Sequence, residues 1–82
     1  MLTNRLTERE KEITRLLCLG YVTKEIAQQL DVNTSTVKSH IRNIINKSGV
    51  GTRIGVAVMY AKENPKIAEE LDIISNARLI TK

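Results

Sequence analysis

The chain has 82 residues, of which 41% are hydrophobic and 27% charged, and its formal net charge is +4. These values predict one small globular domain, which at this length buries roughly 60% of its unfolded surface. No apolar run approaches the ~20 residues of a membrane span, no apolar leader follows Met1, and Cys18 is the only cysteine. We therefore expect a cytoplasmic protein with no membrane partner, no disulfide and no thiolate metal cluster.

The positive charge is concentrated in one stretch. From Thr34 to Arg53 the sequence contains basic residues and no Asp or Glu, whereas residues 65–82 carry three residues of each sign. A local excess of positive charge favours a polyanionic partner such as nucleic acid.

Capping and apolar spacing predict helices from the start of the chain, and no strand pattern is visible. The first helix begins at Thr7, because TERE is a capping box in which the Thr7 hydroxyl accepts a backbone N–H and Glu10 reaches back. Gly20 ends this helix. The second helix is short, with Thr23 as its N-cap, and a tight turn leads to Asn33 as the next N-cap. The inward-facing residues of both helices are predicted to be Leu6, Ile13, Leu16, Leu17, Ile26, Ala27 and Leu30.

The third helix is predicted over Thr34–Lys47, with Gly49 ending it. It carries two stripes at helical spacing. The buried stripe is formed by Val37, Ile41, Ile44 and Ile45. The second stripe is polar, basic and free of acids, and consists of Ser35, Lys38, Ser39, Arg42 and Asn46.

The fourth helix starts near Thr52 and ends around Glu63-Asn64, because Pro65 disfavours helical geometry in the residue before it. Gly55 lowers its stability by about 1 kcal/mol relative to Ala. Its inner face is predicted to consist of Ile54, Ala57, Val58 and Ala61.

Pro65 is a favourable first residue for a further helix, expected over roughly Lys66–Ser75 with a frayed end. Its apolar stripe would be Ile67, Leu71 and Ile74. The sequence thus divides into a domain at residues 1–64 and a C-terminal helical extension at 65–82.

The ordered motifs resemble the LuxR/NarL/GerE-type DNA-binding domain. The segments that match the family are LTEREKEITRLLCLG from Leu6 to Gly20, TKEIAQQL from Thr23 to Leu30, and then TVKSH, NIINK and GV. The resemblance implies an all-α fold, a four-helix LuxR-type helix-turn-helix domain, here with an additional C-terminal helix. The chain departs from the family at Leu19, often polar there, at Ser48, usually apolar, and at Gly55, usually a better helix former.

The resemblance implies a sequence-specific regulator of transcription that binds double-stranded DNA and inserts the third helix in the major groove. The family places base-reading contacts at the positions of Lys38, Ser39 and Arg42, and helical spacing independently puts these three on the outward stripe. The flanking residues expected to contact the DNA backbone are Thr23, Lys24, Ser35, Thr36, His40, Asn43, Lys47 and Arg53.

Two protein partners follow from the same resemblance. Relatives often dimerise through the fourth helix, which makes Val56, Met59 and Tyr60 the candidates for a homodimer interface, with recognition helices ~34 Å apart. RNA polymerase is the other candidate partner of a bacterial regulator. Relatives often carry a sensory domain before this module, so the chain is either a stand-alone regulator or the end of a larger one.

The C-terminal helix suggests a second possible function. The alternative function is a protein–protein interaction module that uses the C-terminal helix, which could cover the fourth helix, extend it, or pack against Cys18 and Leu19. We expect no enzyme, because no catalytic set and no Gly-rich phosphate loop is present. We expect no cofactor and no metal, since His40 lacks partner ligands, and we expect Cys18 to be a small buried apolar residue.

Overall fold

The structure of the protein is a computed structural model that describes residues 1–71 and 73. A short 3-10 helix, η1, spans Leu2–Arg5; it precedes α1 (Glu8–Cys18), α2 (Thr23–Leu30), α3 (Thr34–Ser48) and α4 (Arg53–Glu63). Residues 67–71 and 73 are also helical. The described residues contain no β-strand, and none of their helices has the length and hydropathy needed to cross a membrane. The predicted all-α class is confirmed.

The helix ends follow the sequence signals, with one exception. The Thr7 hydroxyl accepts the Glu10 N–H at 3.1 Å, and the Glu10 carboxylate accepts the Thr7 N–H at 2.8 Å. Gly49 ends α3 in the left-handed region, with φ 74°. The prediction of Thr23 as the α2 N-cap is wrong by one residue: Val22 holds that position, and its N–H donates to the Glu25 carboxylate at 2.9 Å. The start of α2 therefore has the Glu25 hydrogen bond of a capping box, but not the one from an N-cap hydroxyl, because Val22 has none.

The main core contains residues from η1 and from all four α-helices, and α1 packs against both α3 and α4 while α2 packs against α3. Ile13, Ile26, Val37, Ile44 and Val56 are fully buried. The apolar stripe predicted for α3 therefore faces the core. Because α3 is packed against each of the other three α-helices, its outer face is presented by a fixed scaffold.

The inner face predicted for α4 is wrong for Ile54 and Val58, whereas Ala57 and Ala61 are half-buried and Ala61 packs against the core. Val56 and Tyr60 face the core, whereas Ile54 is 75% exposed and Val58 is 50% exposed. The segment RIGVAVMYA is apolar on nearly all sides, so periodicity alone does not select a face. Packing of Val56 against the α1–α3 core selects it.

The C-terminal helical segment packs against Cys18 and Leu19, one of the three arrangements that the sequence left open. Ile67 is buried in a second cluster with Leu19 and Tyr60, and Arg15 forms an ion pair with Glu70. The chain turns at 65–66 before this segment becomes helical at 67. Residues 72, 74 and 75 of the predicted helix, including Ile74, lie outside the described residues. The division into 1–64 and 65–82 stays a prediction.

Cys18 is half-buried rather than buried, and its thiol donates to the Ala57 carbonyl at 3.2 Å. Burial raises the pKa of this thiol. The side chain thus links α1 to α4 by a hydrogen bond as well as by contact.

The N-terminal residues are bound to α4 by hydrogen bonds to Glu63, a clasp that the sequence did not indicate. The Glu63 carboxylate accepts the Leu2 N–H at 2.8 Å, the Thr3 N–H at 3.0 Å and the Thr3 hydroxyl at 2.7 Å. The hydrogen bonds from Thr3 lower the pKa of Glu63. Leu2 is consequently buried in the main core.

Candidate nucleic-acid interface

The outer face of α3 is a continuous polar surface. The helix has 15 residues, which makes it about 22 Å long. It has no acidic residue, and Arg42 projects on the side opposite the buried Ile41 and Ile44. The whole polar stripe is exposed, namely Ser35, Lys38, Ser39, Arg42 and Asn46.

The three predicted base-reading residues lie together on this face. Lys38 and Arg42 are one turn apart, which places their side chains as neighbours along the helix, and Ser39 lies beside them. All three are exposed. Among the residues that the structure describes, neither cation forms an ion pair. Both are therefore available to an external anion or acceptor.

The flanking residues surround this stripe unequally. Ser35, Thr36 and Asn43 are exposed, whereas His40 is half-buried. The side chain of Asn33 makes no capping hydrogen bond, so the first N–H groups of α3 are not satisfied by it.

Two further predicted contacts begin other helices. Lys24 is exposed and Thr23 half-buried in the first turn of α2, and Arg53 is exposed at the first residue of α4. The α2 terminus also holds the Glu25 carboxylate, which competes with an external anion there. Lys24 and Arg53 are therefore stronger phosphate candidates than the α2 backbone.

Lys47, which the sequence predicts to be a DNA-backbone contact, forms an ion pair with Glu10 in the structure. Its ammonium donates to Glu10 Oε1 at 2.6 Å, and its carbonyl accepts a hydrogen bond from Arg5 at 3.3 Å. The Glu10 side chain is 5% exposed. The capping box predicted the local role of Glu10. Its pairing with Lys47, 37 residues away, could not be predicted, because the sequence shows only that α3 carries basic residues without acidic ones.

The charge state of Glu10 follows from this pairing. Burial of the carboxyl acts to raise its pKa, but the hydrogen bonds from Lys47 and Thr7 outweigh burial and leave the pKa below the ordinary value of 4.5. Glu10 is therefore ionised at neutral pH, and it neutralises Lys47 beside it.

The predicted dimer candidates do not form one exposed surface. Val56 is fully buried and Tyr60 is 9% exposed, while Met59 is partly buried against the core. Val56 and Tyr60, predicted as dimer candidates, are thus turned towards the core, because α4 is rotated so that they face inward. The exposed apolar residues of α4 are Ile54 and Val58.

A shallow cleft accompanies this exposed face of α4. It has a volume of about 370 Å³ and is lined by Val50, Gly55, Val58, Met59 and Lys62. Any contact through α4 would therefore use its Ile54–Val58 side.

Comparison with known proteins places this arrangement in a family. The family of bacterial regulatory proteins described as the luxR family matches residues 4–61. The nitrate/nitrite response regulator protein homolog of Haemophilus influenzae is 39% identical over 59 residues, which cover 72% of this chain and 28% of that protein. The nitrate/nitrite response regulator protein NarL of Escherichia coli K12 is 38% identical over 60 residues, with coverages of 73% and 28%.

The HTH-type transcriptional regulator MalT of Klebsiella pneumoniae is 43% identical over 61 residues, 74% of this chain and 7% of that protein. The chain thus spans less than a third of the length of these relatives. No solved structure matches. The family match covers more than half of the chain, including all of α3, and it confirms the resemblance seen in the motifs. The chain therefore belongs to the luxR family of bacterial regulatory proteins, as a helix-turn-helix domain of that family.

Proposed function

We propose that this chain binds double-stranded DNA as the helix-turn-helix module of a transcription regulator, with α3 in the major groove. The observation that carries the proposal is the exposed, acid-free stripe of α3, which lies opposite a stripe buried in the core. An α-helix fits the major groove, and carboxylates on its outer face would be repelled by phosphate. The family membership and the names of NarL and MalT relatives support the same role.

The side chains divide into two roles. Arg42 can donate two hydrogen bonds to guanine O6 and N7, which discriminates between bases by roughly 1–3 kcal/mol. Lys38 and Ser39 extend this base-reading set. The groups that position the protein on phosphates are Thr23, Lys24, Ser35, Thr36, His40, Asn43 and Arg53. Lys47 is left out of the second group because Glu10 holds it.

The test combines selection from a random pool of DNA duplexes with one substitution in the base-reading group and one in the phosphate-contacting group. Duplexes retained at near-physiological salt should share a motif. Arg42→Ala should remove the preference at one base position, because the bidentate contact is lost. Arg53→Ala is the matched control: it should weaken binding to selected and random duplexes alike, and lower the slope of log Kd against log salt by about 0.9. Equal losses on both duplexes for both variants would contradict this division.

The form of the selected motif tests the homodimer. Ile54 and Val58 are the exposed apolar residues of α4, and pairing through them would produce two inverted half-sites about one DNA turn apart, ~34 Å. A single half-site would count against pairing. RNA polymerase as a further partner stays a prediction that follows from the regulator role.

A protein-binding role is the second candidate, and one observation favours it. Ile67 faces the second core cluster, but Leu71 and Ile73 on the same segment are 40% and 69% exposed. Absence of any DNA retention, at low as well as near-physiological salt, would favour this candidate over the first.

A further inference from the structure

Lys47 is fixed at both of its polar ends. Its ammonium lies 2.6 Å from Glu10 Oε1, and its carbonyl accepts from the Arg5 guanidinium at 3.3 Å. Both partners precede α2 in the chain, so the last turn of α3 is tied to the N-terminal part of the protein.

The position of Lys47 on α3 explains why it is available for this role. Lys47 follows Lys38 by nine residues, about two and a half turns at 3.6 residues per turn. The two side chains therefore leave the helix on opposite sides. Lys38 is on the exposed stripe, whereas Lys47 is half-buried towards α1.

One oxygen atom of Glu10 joins two helix ends. Oε1 accepts the Thr7 N–H at 2.8 Å, which caps α1, and also the Lys47 ammonium at 2.6 Å, in the last turn of α3. The Glu10 side chain is 5% exposed, so its carboxylate is shielded from water, while the Lys47 side chain is 38% exposed. A shift of α3 along or around α1 would break a charge-assisted hydrogen bond.

We propose that Glu10 is a positioning residue for the DNA-reading surface: acting through Lys47, it sets where the stripe of α3 lies relative to the rest of the domain. Lys47 itself contacts no phosphate. This inference rests on the proposed function. It adds that specificity depends on a side chain in α1, on the far side of α3 from the groove.

The variants for the test separate charge from bulk. Lys47→Met keeps most of the aliphatic stem and removes the charge, Lys47→Arg restores a cation, and Glu10→Gln keeps the acceptor oxygen but not the charge. Arg53→Met is the matched control, because it removes an exposed cation from a proposed phosphate contact. All are measured in the full chain at a temperature where circular dichroism shows each to be folded.

Two readouts distinguish positioning from direct contact and from mere stability. Lys47→Met should leave the slope of log Kd against log salt unchanged, whereas Arg53→Met should lower it by about 0.9. Glu10→Gln and Lys47→Met should each reduce the ratio of affinities for selected and random duplexes by about tenfold, since a displaced Arg42 loses its paired contacts with a base. Lys47→Arg should recover most of that ratio.

Other results would overturn the inference. A lower salt slope for Lys47→Met would make Lys47 a phosphate contact. An unchanged affinity ratio in folded Glu10→Gln and Lys47→Met would reduce the pair to a stability contact. Failure of the wild-type chain to bind any duplex would instead refute the proposed function; the anchoring of α3 would then be tested by a double-mutant cycle in urea, where zero coupling between positions 10 and 47 overturns it.

Discussion

Gly55→Ala should destabilise the protein, although the substitution improves the helix propensity of α4. A Cβ atom at this position would lie 2.8 Å from Val50 Cγ2, 3.0 Å from Val50 Cβ and 3.1 Å from Thr52 Oγ1. Rotation about the Val50 side chain moves Cγ2 but not Cβ, which is fixed to the backbone. Thr52 is equally constrained, because its hydroxyl accepts the Gly55 N–H at 3.0 Å and caps α4.

The magnitude follows from two opposing effects. Ala is favoured over Gly in a helix interior by about 1 kcal/mol. Overpacking of a close contact costs about 1–3 kcal/mol, and disturbing the Thr52 cap costs up to about 1 kcal/mol more. These figures give a net loss of up to about 3 kcal/mol in the free energy of unfolding, with a middle value of about 1.5 kcal/mol, or roughly 4–8 °C in Tm for each kcal/mol.

Urea unfolding followed by circular dichroism measures this loss, and Val50→Ala supplies the control. The substitution Gly55→Ala should cost less in a Val50→Ala background than in the wild type, because one of the contacting atoms is gone. A Gly55→Ala protein that is more stable than the wild type by about 1 kcal/mol, the propensity difference alone, would refute the reasoning.

Two other predictions concern acid stability and the C-terminal segment. The free energy of unfolding should fall as the pH drops below about 4.5, since the pKa values of Glu10 and Glu63 lie below that ordinary value in the folded protein and the unfolded chain therefore takes up protons first; urea titrations between pH 6 and 3 measure this, and Glu63→Gln should flatten the profile. Ile67→Ala should lower stability by about 2 kcal/mol because it opens the second core cluster, whereas Leu71→Ala at a 40% exposed site should change it by less than about 0.5 kcal/mol; similar losses for both would mean that Ile67 does not anchor the segment.

The sequence predicted most of the elements because their signals are local. The capping box at Thr7, the glycine at 49 and the 3.6-residue spacing of Val37, Ile41 and Ile44 are each contained within a few residues, and the structure places all of them as expected. The exposed stripe of α3 followed from the same spacing.

The misplaced features depend on contacts between distant residues. The face of α4 is decided by Val56 meeting the core, and the ion pair that Lys47 forms with Glu10, 37 residues earlier, was likewise not foreseen. The clasp between Glu63 and residues 2 and 3 spans about 60 positions. No local pattern of charge or hydropathy specifies such pairs, so sequence reasoning listed Lys47 among the DNA-backbone contacts without its Glu10 partner.

The absence of acids from α3 also has a consequence for the helix as a folding unit. Without Asp or Glu, α3 has no internal ion pairs and no acidic residue in its first turn, and Thr, Ser, Val and Asn are weak helix formers. A free peptide of residues 34–48 should be largely unstructured, because a helix of about 15 residues is marginal in water even with good formers. The features that suit α3 to a polyanion thus leave its shape dependent on the surrounding core. The proposed DNA-binding surface of α3 should therefore disappear in the same cooperative transition that unfolds the domain.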